Sequence, residues 1–276
     1  YYSCTWKVLT KVSDSSLSDD FILLEYSATD ELHISTIEIG SGGITVDWGN
    51  GDVEDYGEID GGSSYDHPAI VSKTWNDSAP RTVRITGDLI RYGDNPNRAG
   101  YPANGQKLLT SVTISGMSSL TEVEKMFWGC STLTTVDVSN FDTSNITNMY
   151  GMFRNCISLP ELDLSNFDTN KVNHTGSMFS NCPLLTNLTG VDAFDTSNVT
   201  RMPNMFKWCS SLDDLDISNW CVTSIVTAVP PFNFTLGAPV IEYDVGRVGA
   251  SSFTIYRTDG TDTTIDPAQG TDPELT

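Results

Sequence analysis

The sequence predicts a mostly β protein with short helices: an N-terminal β-sandwich, then a short solenoid of stacked repeats, then a C-terminal β-hairpin with an extended arm. Three observations predict it. Residues 1–87 alternate apolar and polar positions in short runs separated by Gly, Ser and Asp turns. A block of 26 or 27 residues then appears four times in succession. Residues 237–276 carry two β-prone runs, PVIEYDV and SSFTIYRT, ahead of an acidic stretch rich in Asp, Thr and Pro.

In the first segment the runs TWKVLTKV, FILLEYS, STIEIG, ITVDWGNGDVEDYG and RTVRITG have the alternation of antiparallel strands. ITVDWGNGDVEDYG resembles the W-G-D-G turn of polycystic-kidney-disease-type immunoglobulin-like domains, which usually have Asp where Asn50 stands. That resemblance implies an immunoglobulin-like sandwich in which Trp48 plugs the core and Gly49 to Gly51 form a tight hairpin. TVRITG, residues 82–87, resembles the closing strand of such a domain and places its end near Gly87. Residues 88–107, with Gly93, Pro96, Gly100, Pro102 and Gly105, read as a linker or adapter ordered by packing.

The repeat segment, 108–236, is marked by MFWGCSTL at 126, MFRNCISL at 152, MFSNCPLL at 178 and MFKWCSSL at 205, in steps of 26, 26 and 27 residues. A period in the twenties with apolar residues at fixed phase means coils that each bury a face against the next. Leu133, Val136 and Val138 align with Leu159, Leu162 and Leu164, with Leu185 and Leu188, and with Leu212, Leu215 and Ile217, the phase of a short parallel strand. Phe141, Phe167, Phe194 and Trp220 follow each strand and should stack as a column. Asp142, Asp168 and Asp195 precede stretches such as TSNITNMYGMF, which are expected to make about two helical turns with the carboxylate as cap. Met126, Met152, Met178 and Met205 and the Phe after each read as core filler.

Cys130, Cys156, Cys182 and Cys209 share one column; neighbours fall within disulfide reach, but buried free thiols suit their apolar flanks better. Cys4 and Cys221 stand outside it, and only parity suggests that they pair. The terminal units are atypical: a half repeat, LLTSVTISGMSSLTEVEK, opens the array, and VTAVPPFNF closes it with two prolines that stop pairing.

Written as L-x-x-L-D-L-S-N-F-D-T-S-N-V-T-N-M-x-x-M-F-x-x-C, the unit resembles the BspA-type leucine-rich repeats of bacterial and mycoplasmal surface proteins, over residues 108 to about 235. SNWCVTSI followed by PPFNF is similar to the closing unit of such repeats in phage and marine bacterial proteins. The resemblance implies attachment, host recognition or a structural role at a cell or virion surface, brings no catalytic residues, and fixes no ligand.

Composition narrows the function further. Lys and Arg total 15 against 36 Asp and Glu, a formal charge of −21, so nucleic acid is not an expected partner. No apolar run reaches the roughly 18 residues of a membrane span. The chain opens on Tyr1 with no leader pattern, which reads as a processed or trimmed product of a longer chain; processing fits export or virion maturation, and a cloning boundary would look identical. The expected location is outside the cell, on the cell surface or on a virion.

On strand positions facing away from the core, Asp137, Glu161, Asp163, Asp213, Asp214 and Asp216 should form an acidic strip across the coils, the candidate binding surface. It could gather Ca²⁺ or meet a basic partner, and a plainly solvated face is the competing reading. A second cluster, Asp47, Asn50, Asp52, Glu54 and Asp55, surrounds the Gly-rich hairpin; turn chemistry comes first there, with Asp47, Asp52 and Asp55 as candidate metal ligands, although the spacing is not that of a calcium loop. No catalytic residue is expected. His33, His67 and His174 lie far apart, no G-x-S-x-G or H-E-x-x-H string occurs, and a regular acidic ladder offers no unique carboxylate pair for glycoside hydrolysis. The sequons at Asn76, Asn145, Asn173, Asn187, Asn198 and Asn233 arise largely from the repeat consensus and do not imply glycosylation. The expected function is non-catalytic binding or adhesion to a protein or glycan on a cell or particle surface. The alternative is an assembly component, such as a capsid decoration or filament subunit with homo-oligomeric or virion neighbours, and a polysaccharide-active enzyme is a remote third.

Overall fold

A computed structural model describes residues 20–28, 31–49, 51–57, 69–92, 108–212, 215, 220–221, 253–255 and 263–265. Strands β1 (Phe21–Tyr26), β2 (Glu31–Asp47), β3 (Val53–Tyr56), β4 (Ala69–Thr74), β5 (Arg81–Tyr92), β6 (Leu109–Gly116) and β7 (Thr135–Phe141) share one mixed sheet. The order is β3-β2-β5-β1-β6-β7, with β4 paired to β2. Every pairing is antiparallel except that of β6 with β7.

The alternation seen in the sequence has its expected cause. In β1, Ile22, Leu24 and Tyr26 are buried while Phe21, Leu23 and Glu25 are only half covered, because successive side chains leave opposite faces of a strand. Ile22 and Leu24 join Val83, Ile85, Val112, Ile114 and Trp48 in one core. Trp48 is fully buried and opens the β2–β3 hairpin: its N–H donates to Asp52 O at 2.8 Å, and Gly49 and Gly51 take φ of +90° and +80°.

Two features differ from the sandwich expectation. Among the described residues the N-terminal strands are hydrogen-bonded into one sheet rather than into two. That sheet does not end before the repeats, since β1 inserts between β5 and β6 and bonds to both. Both edges of β1 carry free backbone groups that need partners, and β6, the first strand of the repeat array, supplies one of them. β5 also passes Gly87 and reaches Tyr92, inside the stretch expected to be a linker. Gly87 is required by a close crossing: at φ +110°, a Cβ there would lie 2.5 Å from Gly43 O.

Beyond β6 the repeats stack in register. Isolated parallel bridges link Arg91 to Glu122, Glu122 to Asn148, Asn148 to His174 and His174 to Arg201. At least four N–H groups per coil donate to carbonyls of the next, beginning with Val123, Met149 and Thr175, which donate to Asn148, His174 and Arg201 at 3.2, 2.9 and 2.9 Å. Lys125, Phe127 and Gly129 donate to Tyr150, Met152 and Arg154, each at 2.8 Å. Gly151, Phe153 and Asn155 donate to Gly176, Met178 and Ser180, each at 2.9 Å, and Ser177, Phe179 and Asn181 donate to Pro203, Met205 and Lys207 at 2.7, 2.9 and 2.6 Å. Inside this ladder run two aromatic columns. Phe127, Phe153, Phe179 and Phe206 follow one another at 5.5, 6.0 and 5.5 Å between ring centroids, and Phe141, Phe167, Phe194 and Trp220 at 5.8, 6.5 and 6.3 Å. Each ring removed from water contributes about 2 kcal/mol, so the columns are a main source of cohesion along the stack.

The stretches expected to be helical are turns instead, a correction with a visible cause. Each coil has two left-handed residues four apart: Lys125 and Gly129 (φ +61° and +82°), Gly151 and Asn155 (+62° and +63°), Ser177 and Asn181 (+56° and +62°), Asn204 and Trp208 (+57° and +65°). A right-handed helix cannot pass through them. The short strands β8 (Glu161–Asp163) and β9 (Asn187–Thr189) pair in parallel, followed by a 3-10 turn at Val191–Ala193.

The cysteine column is reduced and buried. Cys156, Cys182 and Cys209 donate Sγ–H to Phe127 O, Phe153 O and Phe179 O at 3.2, 3.1 and 3.0 Å. Cys221 is half-buried, and Cys4 lies outside the described residues. In the C-terminal segment β10 (Phe253–Ile255) pairs antiparallel with β11 (Thr263–Ile265); PVIEYDV, the partner expected for SSFTIYRT, lies outside the described residues.

Candidate functional site on the outer strand face

The strand periodicity that sends Val138, Leu162 and Leu164 into the core sends Asp137, Glu161 and Asp163 into solvent. Neighbouring positions are hydroxyl or amide bearing, with Glu161 opposite Asn187 and Asp163 opposite Thr189 across β8 and β9. Asp163 is held in place: its Oδ1 accepts from Ser165 N at 3.0 Å, Ser165 Oγ at 2.6 Å and Thr189 Oγ1 at 2.9 Å. The Ser165 hydroxyl and amide, then Thr189, keep its carboxyl below the usual range, so it stays ionised well into acid. Asp137 Oδ1 accepts from Ser139 N at 3.1 Å and Ser139 Oγ at 2.7 Å. Asp213, Asp214 and Asp216, assigned to the same strip, lie outside the described residues. The face is thus a shallow surface of fixed carboxylates and hydroxyls, suited to accepting hydrogen bonds and cationic groups.

The carboxylates at the turn below it have another task. Asp142, Asp168 and Asp195 accept from the N–H two residues on, at Ser144 (3.0 Å), Asn170 (3.1 Å) and Ser197 (2.9 Å). They close Asx turns rather than cap helices, which corrects the capping expectation while keeping its logic of satisfying a free amide. What the sequence reading missed is the residue that follows. Thr143, Thr169 and Thr196 are buried, and each hydroxyl donates to a carbonyl one coil further on: Asp168 O at 3.1 Å, Asp195 O at 3.2 Å and Cys221 O at 2.9 Å. The recurring D-T dipeptide was the available signal.

At the N-terminal hairpin the three candidate metal ligands are used separately. Asp47 Oδ1 accepts from Gly49 N at 2.8 Å, Asp52 Oδ2 pairs with Lys73 Nζ at 2.9 Å, and Asp55 Oδ1 accepts from Thr45 Oγ1 at 2.7 Å. Among the described residues no three His, Cys, Asp or Glu side chains converge to hold a metal ion. Asn50 lies outside them. Glu54 is instead the hub of the hairpin. It accepts from Lys73 Nζ at 2.6 Å, Tyr56 Oη at 2.5 Å and Trp48 Nε1 at 3.2 Å, and Lys73 and Tyr56 hold its carboxyl below the ordinary value. Burial and Glu54 push the Tyr56 phenol up to about 12, so it remains a donor at any physiological pH. An open cleft of about 340 Å³ beside it is walled by Gly42, Thr45, Asp55, Tyr56 and Gly87.

Of the histidines only His174 has a described side chain; it is half-buried and stacks on Tyr150 at 4.8 Å. Burial, and then the Arg201 charge, hold it neutral below its ordinary range. It stands on a flank that composition hid. Arg154 lies 4.3 Å over the Trp128 ring, Lys125 lies 5.6 and 5.5 Å from the Trp128 and Tyr150 rings, and Lys207 lies 4.3 Å over Trp208.

A family model described as a Mycoplasma protein of unknown function, DUF285, matches residues 103–190 and again residues 188–236. The repeat region is thus similar to that family over just under half of the chain. The matched residues include both aromatic columns, Phe127 to Phe206 and Phe141 to Trp220. The comparisons with curated proteins and with solved structures found no match. Among the described residues no helix is long and apolar enough to cross a membrane.

Proposed function

We propose that the chain is a non-catalytic binding protein displayed outside the cell or on a particle surface. In this reading the DUF285 segment is a BspA-like leucine-rich-repeat solenoid, the N-terminal sheet belongs to an immunoglobulin-like module that closes its first coil, and the outer strand face is the contact surface. The observation that carries the proposal is the exposure of Asp137, Glu161 and Asp163 on adjacent coils while their strand neighbours fill the core. A surface that is rigid, repetitive and without a convergent acid–base pair suits recognition of an extended partner better than bond cleavage. The partner chemistry it fits is cationic or rich in hydrogen-bond donors, on a protein or a glycan.

The test is binding to cells and to an arrayed glycan and protein set, comparing the wild type with Glu161→Lys. Binding that Glu161→Lys weakens at least tenfold supports the proposal. No binding, or turnover of a polysaccharide by the purified chain, would contradict it.

A further inference from the structure

Beyond the first repeat, whose corresponding arc carries Glu122 and Glu124, charge is segregated more sharply than a net charge of −21 suggests. The arcs 143–160, 169–191 and 196–212 contain no Asp or Glu, although the chain has 36 of them, and they carry Arg154, Lys171, Arg201 and Lys207. Every carboxylate of coils two and three sits on the strand or on the turn directly after it. The same arcs hold Ile157, Leu184 and Trp208, exposed by 41, 54 and 39%; among the described residues only Val53 is another large apolar side chain so exposed.

These residues are adjacent in space. Asn155 N bonds Ser180 O and Asn181 N bonds Lys207 O, so the segments carrying Arg154 and Ile157, then Leu184, then Lys207 and Trp208 lie side by side on three successive coils. Asn181 Nδ2 also donates to Asn155 Oδ1 at 3.0 Å along the same row. Apolar anchors beside Arg and Trp, without an acid, have the composition of a protein contact rather than of a solvated surface. The patch adjoins the acidic face across one short turn, from Ile157 to Glu161.

We infer that this corner of coils two to four is a self-association surface that takes a second copy of the same chain, with Arg154 and Lys207 of one copy facing the Glu161 strand of the other. Because cationic and acidic halves lie next to each other, a two-fold arrangement matches both halves at once, which an isologous dimer requires. Ile157, Leu184 and Trp208 then supply the apolar centre. Charge complementarity selects the occupant: the patch excludes another cationic surface, and the chain itself presents an acidic, hydroxyl-rich face on the adjoining strands. The inference rests on the proposed role of the outer strand face as a contact surface, with this chain as its partner.

The test is sedimentation velocity at about 0.15 M salt, where screening beyond roughly 8 Å leaves short-range pairing in control. Arg154→Glu/Lys207→Glu and Glu161→Lys/Asn187→Lys are compared with the wild type after circular dichroism confirms that each is folded. A wild-type dimer is expected, with each variant alone a monomer and the equimolar mixture restored to a dimer, because the reversed charges then complement. Trp208→Ser, which removes an anchor and no charge, should weaken the dimer at least tenfold. A wild type that stays monomeric at high concentration, a mixture that stays monomeric, or open-ended growth beyond the dimer would each overturn the inference. Binding of a foreign partner in the cell and glycan assay, without self-association, overturns this inference and leaves the proposed function standing.

Discussion

Thr143 and Asp168 bond reciprocally across two coils: the Thr143 hydroxyl donates to Asp168 O at 3.1 Å and accepts from Asp168 N at 2.7 Å. One buried side chain thereby satisfies both backbone groups of a residue that the strand ladder has released. The pattern repeats with Thr196 and Cys221, at 2.9 and 2.7 Å.

Thr143→Val keeps the shape and removes both bonds, leaving a covered N–H and C=O unpaired. An unsatisfied buried group costs about 1–3 kcal/mol, so the variant should lose about 2 kcal/mol in urea unfolding, and Thr143→Ser should recover most of it. Equal stability of Thr143→Val and wild type would show that the ladder contributes nothing.

Gly190 separates backbone strain from steric contact. At φ +85° a Cβ there would stand 2.3 Å from Ser165 N, whereas Gly51, at φ +80°, has nothing within 4 Å. Gly51→Ala should cost only the left-handed penalty of about 1 kcal/mol, and Gly190→Ala clearly more, because backbone of the preceding coil must move. Thermal unfolding of the pair measures the difference; equal losses would mean that the coils are not in close contact at that point.

Acid should loosen the coils in two steps of the same sign. The folded state holds His174 below its ordinary value of 6.5, so the unfolded chain takes up that proton first and stability falls as pH drops through the region beneath 6.5. Asp142, Asp163 and Asp195, also depressed when folded, contribute stability that is present above 3.8 and is lost as pH falls further. His174→Phe, which keeps a ring against Tyr150, should flatten the first step and leave the second. Urea midpoints against pH give both; an unchanged first step in His174→Phe would assign it to another group.

Burial pushes the thiols of Cys156 and Cys182 far up and that of Cys209 up to about 12. Thiolate attack on an alkylating reagent therefore requires the coil to open. Site-resolved alkylation should label Cys221 in the native protein and Cys130, Cys156, Cys182 and Cys209 only with unfolding. Rapid native labelling of any of those four would contradict their placement.

The period and the identity of its inward residues were readable because stacking requires the same residue type at the same phase in each coil. That is why Phe141, Phe167 and Phe194 could be assigned to a column before any coordinates, and why the buried cysteines read as packing. The turn conformation was not readable. Lys125, Ser177 and Trp208 have no intrinsic preference for positive φ, and they adopt it because cross-coil bonding fixes the backbone around them. Nor did alternation in β1 disclose its neighbours; a strand with two available edges does not encode which partners it takes, and β1 joins β5 to β6. At the candidate site the exposure of Asp137, Glu161 and Asp163 followed from strand parity, whereas the cationic flank around Arg154 was hidden by an overall composition dominated by acid.

The central claim is that successive repeats form one in-register column, and excising one whole period tests it most directly. Deleting residues 152–177, one step of 26, joins Gly151 to Met178 with every column in phase. The account predicts a cooperatively folded protein with an unchanged strand signal, whose longest dimension in small-angle scattering shortens by about one strand spacing, roughly 5 Å. A deletion variant that unfolds, or one that keeps the full length of the wild type, would contradict it.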